Sequence, residues 1–453
     1  MSRERRGVDW WLWAACALYV AIFTALGAWR YAAHGDLVDQ GVFSQITASA
    51  FGCFCSPLYG SQWAHHFSPI LYPVGVLMRI FPASLTLVVV QAIAGALFPP
   101  AVYALTARST DRKTARLAAA VAFLYPALAG ALFGDFYENA FAPAAVAWLL
   151  YAFECENVWG VALLTAVTLA IKEDQAFFLA AAGALGYVRS RGNRRRAAMA
   201  IGVSVAAVVV AAAYLFVIQP HAPGGDPHWK ERFFAWDAAS FRALFPGGLA
   251  ARAGFALLAF APLLFLPFRS PVVLVAVLPL AEAFGSTSSV TYTIGQHYAE
   301  AWIGYVFYAF ADAIRRLFVA DADRVRRLLV ACIAVCVLEF AVADPLHPGM
   351  LHVPASRDAS LDAFLRSLPP DIDVATQEEA YTHLAATDAR ATLLPESSSE
   401  SVNACYILID RDFPASPRLQ EYGDAVRALV ARGTYRLVRR AGGIELYQRA
   451  GCR

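Results

Sequence analysis

Ionisable and hydrogen-bonding side chains gather in four short segments of an otherwise apolar chain. In chain order these side chains are His34, Asp36, Asp39, His65 and His66; Asp135 and Glu138; Lys172, Glu173 and Asp174; and Gln296, His297 and Tyr298. A carboxylate can act as a general base, and lysine or histidine can stabilise the negative charge of a leaving phosphate. The set therefore has the residue types for a transfer reaction that takes a proton from a hydroxyl group and releases a phosphate.

These residues also have simpler interpretations. A single aspartate in a polar loop is more often solvated than catalytic, and His65-His66 would suit a membrane interface. Lys172-Glu173-Asp174 is harder to explain, because three charges shorten the two apolar segments beside them and a structural turn would use glycine or asparagine. A divalent metal ion is a minority interpretation and no other cofactor is predicted. Asp39, His66, Glu173 and Asp174 are suitable ligand types, but none of them has helical metal spacing such as His-x-x-x-His.

The composition indicates a membrane protein. Of the 453 residues, 59% are hydrophobic and only 16% are charged, whereas a soluble protein carries about 25% charged residues. The net charge of +2 is too small to predict a nucleic-acid partner. Because charged residues are denser after Asp344, we predict a transmembrane domain over 1–343 and a small soluble domain over 344–453.

About eleven apolar segments are candidates for membrane-spanning helices, which need roughly 20 residues. They are 10–30, 84–107, 117–133, 140–155, 158–171, 174–188, 197–218, 249–268, 271–285, 298–318 and 327–343. The segment 68–82 is interrupted by prolines and is interpreted as interfacial or re-entrant. Arginine and lysine are concentrated at 3–6, 108–116, 189–196 and 315–327, and are absent from 31–68, 134–139 and 286–297. This alternation predicts a cytoplasmic N-terminus and an extracytoplasmic C-terminal domain, with all four polar segments outside.

The C-terminal domain has the alternating pattern of a small α/β unit. Predicted strands are Asp371–Thr376, Arg390–Leu394, Ala404–Asp410, Tyr435–Arg439 and Ile444–Gln448, and predicted helices are Ala359–Ser367, Gln377–Ala386 and Arg418–Ala431. Cys405 and Cys452 both lie in this domain and could form a disulfide in an oxidising compartment. The domain has no glycine-rich phosphate loop and no nucleophile elbow, so we assign it no chemistry.

An ordered set of short motifs resembles the bacterial membrane family called domain of unknown function 2079. The motifs are Asp39-Gln-Gly-Val-Phe-Ser-Gln45, His66-Phe-Ser-Pro69, Phe81-Pro82, Gln91, Lys172-Glu-Asp174 and His297-Tyr298. The resemblance extends across most of the chain. It departs from the family at Phe136-Tyr-Glu138, where the family often has a histidine before the acid. The family's layout is in turn similar to that of the GT-C integral-membrane glycosyltransferases.

This resemblance implies a multi-pass protein of the bacterial inner membrane, with a GT-C-like fold of about eleven transmembrane helices. It also implies a polyprenyl-phosphate-linked sugar donor, contact with membrane lipid and an extracytoplasmic acceptor of unknown identity. Asp39 is then the candidate general base, and Glu173 or Asp174 would orient the acceptor or hold Lys172. The candidate substrate contacts are Gln45, His66, Lys172, His297 and Tyr298.

Two other functions use the same residues. A transporter or lipid flippase would have them along a translocation path, and a non-catalytic envelope assembly protein would use the C-terminal domain for contacts. Transporters usually show internal repeats with paired broken helices, which the sequence does not show. Convergence of Asp39, His66 and Glu173 in one cavity would favour the enzyme, whereas a continuous polar path through the helices would favour transport.

Overall fold

The computed structural model describes residues 9–36, 38–224, 244, 248–346, 353–387, 389–395, 402–413 and 418–452. The basic residues 3–6 of the sequence analysis lie outside these ranges. The described chain is mostly helical up to residue 342, and a small mixed sheet follows near the C-terminus. This arrangement agrees with the predicted helical bundle followed by an α/β unit.

Seventeen α-helices lie between residues 10 and 342 in the described part of the chain. They are α1 Trp10–Ala32, α2 Val38–Ala48, α3 Gln62–His65, α4 Leu71–Met78, α5 Ala83–Ala96, α6 Phe98–Ala107, α7 Arg112–Phe123, α8 Pro126–Phe133, α9 Ala142–Glu154, α10 Val158–Leu169, α11 Asp174–Arg189, α12 Arg194–Ala213, α13 Gln219–His221, α14 Leu249–Phe260, α15 Val277–Gly285, α16 Glu300–Ala320 and α17 Ala322–Val342. A hairpin of two-residue strands, β1 Cys55–Ser56 and β2 Gly60–Ser61, precedes α3.

Three described helical elements are long and apolar enough to cross a membrane: Trp10–Ala32, Ala83–Ala107 and Arg194–His221. The pair α7 and α8, bent by 45°, would be a fourth if it formed one span. Other apolar helices, such as α10 with 12 residues, are shorter than the roughly 20 residues that a bilayer requires. The number of eleven spans therefore stays a prediction. The segment 68–82 forms only the eight-residue helix α4, which is too short to cross.

Helix α16 lies at the centre of the bundle. Every residue from Glu300 to Ala311 is buried, as expected for a helix that is covered on all sides. Gly304 lets α9 approach closely, because a Cβ at this position would lie 2.9 Å from Val146 Cβ. The packing brings the N-terminal end of α16, and with it the His297–Ala299 turn, to the end of the bundle where the other polar segments lie.

The C-terminal unit contains a five-stranded sheet in the order β4-β3-β5-β7-β6. Its strands are β3 Asp373–Thr376, β4 Arg390–Leu393, β5 Tyr406–Asp410, β6 Tyr435–Ala441 and β7 Ile444–Arg449, and its helices are α18 Ser356–Arg366, α19 Glu378–Ala385 and α20 Leu419–Ala431. The three strands β4, β3 and β5 are parallel, and β7 and β6 continue the sheet in antiparallel fashion. All the predicted strands and helices of this region are confirmed, as is the Cys405–Cys452 disulfide.

The C-terminal unit packs directly on α2, the helix of the 31–68 segment that carries Asp39. A Cβ on Gly41 would lie 2.6 Å from the ring of Tyr381, so only glycine allows the two helices this approach. Val42, Phe43 and Ile46 share one buried hydrophobic cluster with Tyr381 and with residues of the sheet. The boundary between the predicted domains 1–343 and 344–453 stays a prediction, because the two regions share this core.

Candidate functional site

The four polar segments of the sequence analysis meet around one cavity of about 970 Å³. Asp39, His66 and Glu173 all line it, although they come from three separate segments of the chain. The other polar residues of its wall include Tyr137, Glu138, Asn139, Lys172, Asp174, Glu282, His297 and Tyr298. The convergence of Asp39, His66 and Glu173 is the feature by which the sequence analysis distinguishes an enzyme from a transporter.

Asp39 lies in the first turn of α2 and accepts a hydrogen bond from the Tyr137 hydroxyl at its Oδ2. Burial of the carboxyl and the negative charge of Asp135 raise its pKa to about 6, although the Tyr137 hydrogen bond acts in the opposite direction. A carboxylate with a pKa near neutrality is a more effective general base than one with the ordinary value of 3.8. Asp39 is therefore a partly buried carboxyl group whose raised pKa suits proton transfer, rather than a solvated loop residue.

Helix α2 is held in place by reciprocal hydrogen bonds between Gln40 and the turn 134–139. Asp135 Oδ2 accepts from the Gln40 backbone N–H at 2.9 Å, and Gln40 Oε1 accepts from the Phe136 N–H at 2.8 Å. The Gln40 amide also donates to the backbone carbonyl of Ser84 at 3.1 Å. These bonds bring Tyr137 to Asp39, so the turn that departs from the family pattern at Phe136-Tyr-Glu138 is part of the site.

A buried ion cluster joins this turn to the end of α1. Arg30, in the last turn of α1, lies 2.8 Å from Asp36 and 3.0 Å from Asp135, and all three side chains are buried. The segment itself contains no lysine or arginine, but Arg30 immediately precedes it. Asp36 is therefore a neutralised structural residue and does not line the cavity.

Glu173 has both carboxylate oxygens engaged by the turn that carries His66. Its Oε1 lies 3.0 Å from His66 Nδ1, and its Oε2 accepts from the Phe67 backbone N–H at 3.0 Å. Burial opposes the charge of Glu173, but His66 and these hydrogen bonds outweigh burial and lower its pKa to about 2. The geometry therefore fits a residue that positions His66 better than one that exchanges protons.

Lys172 is the one lysine among the described cavity residues, and carboxylates surround it. Its Nζ lies 4.0 Å from Glu138 Oε1, and the charges of Asp174, Glu138 and Glu173 raise its pKa despite its burial. Lys172 is thus a permanent cation at the cavity wall. An ammonium group of this kind can interact with a phosphate as a point charge.

His297 and Tyr298 form an aromatic wall beside Asp39. The His297 ring stacks on the Tyr137 ring, with centroids 3.3 Å apart and planes at 15°. The Tyr298 ring lies 4.0 Å from that of His297. The stack supports the tyrosine that hydrogen-bonds to Asp39, so His297 contributes to the site through Tyr137 as well as through its own surface.

Gln45 lies apart from the other predicted substrate contacts. Its Oε1 accepts a hydrogen bond from the Tyr381 hydroxyl at 3.0 Å, and its amide lies 3.5 Å from the Ala391 carbonyl oxygen. Gln45 thus joins α2 to the C-terminal unit and is not among the described cavity residues. Asp39, six positions earlier on the same helix, lines the cavity instead.

Sequence reasoning singled out neither Glu282 nor Tyr137 of the cavity wall. Glu282 lies in α15, inside a segment that the sequence analysis treats as a span, and a carboxylate in such a segment is itself a signal of function. Tyr137 could not be found in this way, because a tyrosine in a polar turn carries no such signal. Its role follows only from the contacts with Asp39 and His297.

Solved structures of GT-C glycosyltransferases share the fold of this chain. ArnT from Cupriavidus metallidurans bound to undecaprenyl phosphate is similar with a TM-score of 0.53 and 13% identity, over 96% of this chain and 97% of that one. The apo state of the same protein has a TM-score of 0.50 and 13% identity, over 96% and 98% of the two chains. At this identity the comparison establishes the fold alone.

The sequence comparisons agree with the motif-based resemblance. No curated protein matches the chain at a significant level. The family model described as DUF2079, predicted membrane protein, matches residues 36–446, which is most of the chain and includes every residue of the cavity wall named above. The chain therefore belongs to the DUF2079 family of predicted membrane proteins.

Proposed function

We propose that this protein is an integral-membrane glycosyltransferase that moves a sugar from a polyprenyl-phosphate donor to an extracytoplasmic acceptor. The observation that carries the proposal is the convergence of Asp39, His66 and Lys172 on one cavity in a GT-C fold. The cavity volume of about 970 Å³ is at the upper end of the range for small-molecule sites. A GT-C fold suits a donor that is held in the membrane, and the three side chains supply a base and two contacts to the leaving phosphate.

In the proposed reaction, Asp39 takes the proton of the acceptor hydroxyl as its oxygen forms a bond to the anomeric carbon of the sugar. The bond between that carbon and the phosphate oxygen breaks, and its electron pair leaves with the polyprenyl phosphate. Lys172 and His66 stabilise the charge that develops on this leaving group. Glu173 positions His66, and Asp174 and Glu282 supply further acceptors for sugar hydroxyl groups.

The shape of the cavity suits a donor with an apolar tail and a polar head. Val42, Phe43, Ile46 and Leu58 form an apolar wall on the side of the 31–68 segment. Lys172, Glu173 and Asp174, between α10 and α11, contribute charged groups to the same cavity. A lipid-linked sugar would meet both surfaces at once, whereas a small hydrophilic substrate would use only one.

The direct test is release of free polyprenyl phosphate, which is the same product whatever the acceptor is. Purified full-length protein in nanodiscs is incubated with a panel of polyprenyl-phosphate sugars and an envelope extract as the source of acceptors. Release with at least one sugar, dependent on the extract, supports the proposal. Movement of intact donor between the leaflets without any release would instead support the lipid flippase.

The pH dependence of transfer tests the role of Tyr137. Because Asp39 must be ionised to accept a proton and its pKa is about 6, activity should fall as the pH drops through about 6. Tyr137→Phe removes a hydrogen bond to the ionised form of Asp39. This raises the pKa of Asp39 and moves the acidic limb of the pH profile to higher pH. The measurement is kcat/KM against pH for both proteins. A limb at the same pH in Tyr137→Phe would show that the hydroxyl does not act on the ionisation of Asp39.

A further inference from the structure

A second cluster of chemically active side chains lies outside the cavity, between the end of α1 and the C-terminal unit. His34 Nε2 and His383 Nδ1 each lie 3.2 Å from the same oxygen, Asp362 Oδ1. The two imidazole rings stack with centroids 3.9 Å apart. Within the described residues, this is the one group of three such side chains whose ligand atoms all lie within 4.8 Å of one another.

The outer nitrogens of both rings are already committed to backbone carbonyls. His34 Nδ1 lies 3.0 Å from the Glu379 carbonyl oxygen, and His383 Nε2 lies 3.0 Å from that of Tyr31. A neutral imidazole has one N–H, and these carbonyls require it. The inner nitrogens therefore present lone pairs to a carboxylate oxygen, an arrangement that is unfavourable unless a cation lies between them.

Two protons or one metal ion could provide that positive charge. Protonating both rings would stack two imidazolium ions face to face, and like charges at that distance repel each other. A divalent ion serves both nitrogens and the carboxylate together. For zinc bonds of about 2.0–2.2 Å, neighbouring ligand atoms of a tetrahedral site are roughly 3.3–3.5 Å apart, close to the two separations of 3.2 Å.

His34 shows two further signs of a ligand. It has φ of 51° in a left-handed position just past the end of α1, where its N–H bonds to the Tyr31 carbonyl and the next N–H bonds to that of Arg30. Glycine is the residue that this helix ending favours, so a histidine there carries a conformational cost. Its Nε2 is buried and has no hydrogen-bond partner with acceptable geometry among the described residues.

We propose that His34, Asp362 and His383 bind a divalent cation, zinc by their ligand types, which fastens the C-terminal unit to the end of the first helix. Two histidines and one carboxylate are a common zinc ligand set, and each histidine has the backbone carbonyl partner that zinc ligands usually have. Asp362 is partly exposed, so water can reach the fourth position. The site is separate from the cavity residues and does not depend on the proposed reaction.

The experiment uses full-length protein purified in detergent with a histidine-free tag, stripped with a chelator, reloaded with zinc chloride and desalted. Because His66 and Glu173 offer zinc another place, the readout is the difference in bound zinc between variants. His383→Gln should retain one zinc per chain fewer than the wild type. His221→Gln is the matched control, since His221 is exposed and also bonds to a backbone carbonyl, that of Val217; it should retain the wild-type amount.

Added zinc should also raise the melting temperature of the wild type and the control by more than that of His383→Gln. If His383→Gln does not fold, Asp362→Asn keeps the shape of a partly exposed side chain and should bind zinc at least roughly tenfold more weakly. Equal zinc in the wild type and the ligand variants would overturn the proposal. Absence of zinc binding by the wild type would also overturn it and leave protons as the bridging cations.

Discussion

Replacing Asp39 with asparagine is expected to lower the rate of transfer by about 10²–10⁴-fold, the usual effect of losing a general base. The amide keeps the size of the side chain and can still accept the hydrogen bond of Tyr137, but it cannot take a proton. Folding should not suffer. The pKa of Asp39 is raised to about 6 by burial and by Asp135, so its ionised form costs stability at pH 7 and the neutral amide removes that cost.

The measurement is polyprenyl phosphate release at matched protein levels, together with the melting temperature at pH 7. Asp371→Asn is a suitable control, because Asp371 is exposed and lies in the C-terminal unit. Asp36→Asn is not a neutral control, since Asp36 is buried against Arg30. Full activity in Asp39→Asn would exclude Asp39 as the base and direct attention to Asp174 or Glu282.

Arg30→Gln is expected to be the most destabilising single change near the site. It leaves the carboxylates of Asp36 and Asp135 buried without their cation, and breaking such a buried pair typically costs about 3–5 kcal/mol. Because Asp135 also accepts a hydrogen bond from the Gln40 N–H, displacement of Asp135 would also displace α2 and with it Asp39. The measurement is the melting temperature and the monodisperse fraction of the protein in detergent.

A double variant separates the charge effect from simple loss of packing. Asp36→Asn alone should also destabilise the protein, because it leaves Arg30 with one carboxylate fewer. In Arg30→Gln combined with Asp36→Asn, one of the two carboxylates that lost their cation is gone, so the double variant should be less destabilised than the sum of the single changes. Strict additivity, or wild-type melting in Arg30→Gln, would contradict an essential ion cluster.

The C-terminal unit is the region where sequence reasoning was most accurate. The central strand β5 contains the apolar run Ile407-Leu408-Ile409, and the helix α20 has one apolar face, so these elements are specified by their own residues. The bundle was harder, because α10 and the helices that resemble it are apolar on every side and their patterns do not reveal how much of each lies in lipid. Of the predicted spans, three have the length and composition that crossing requires in the described chain.

The sequence predicted those site residues that stand out locally, but not the distant partners that position them. Asp39, His66, Lys172, Glu173, Asp174, His297 and Tyr298 all stood out as polar residues between apolar segments, and they do converge. Gln45 stood out only as part of a motif, and its partner is the C-terminal unit. Asp36 lies in a segment without lysine or arginine, and its partner Arg30 belongs to the preceding helix.

By itself, the sequence determined that this chain is a helical membrane protein with a small α/β unit and a set of polar segments suited to transfer chemistry. Those properties depend on local composition and periodicity. Only the tertiary structure determined that Asp39 lines the cavity and that Asp36 is paired with the buried Arg30. Tyr137 reaches Asp39 across 98 positions, Glu173 reaches His66 across 107, and Tyr381 reaches Gln45 across 336. Burial and charge at each site depend on such distant neighbours, which no local pattern specifies.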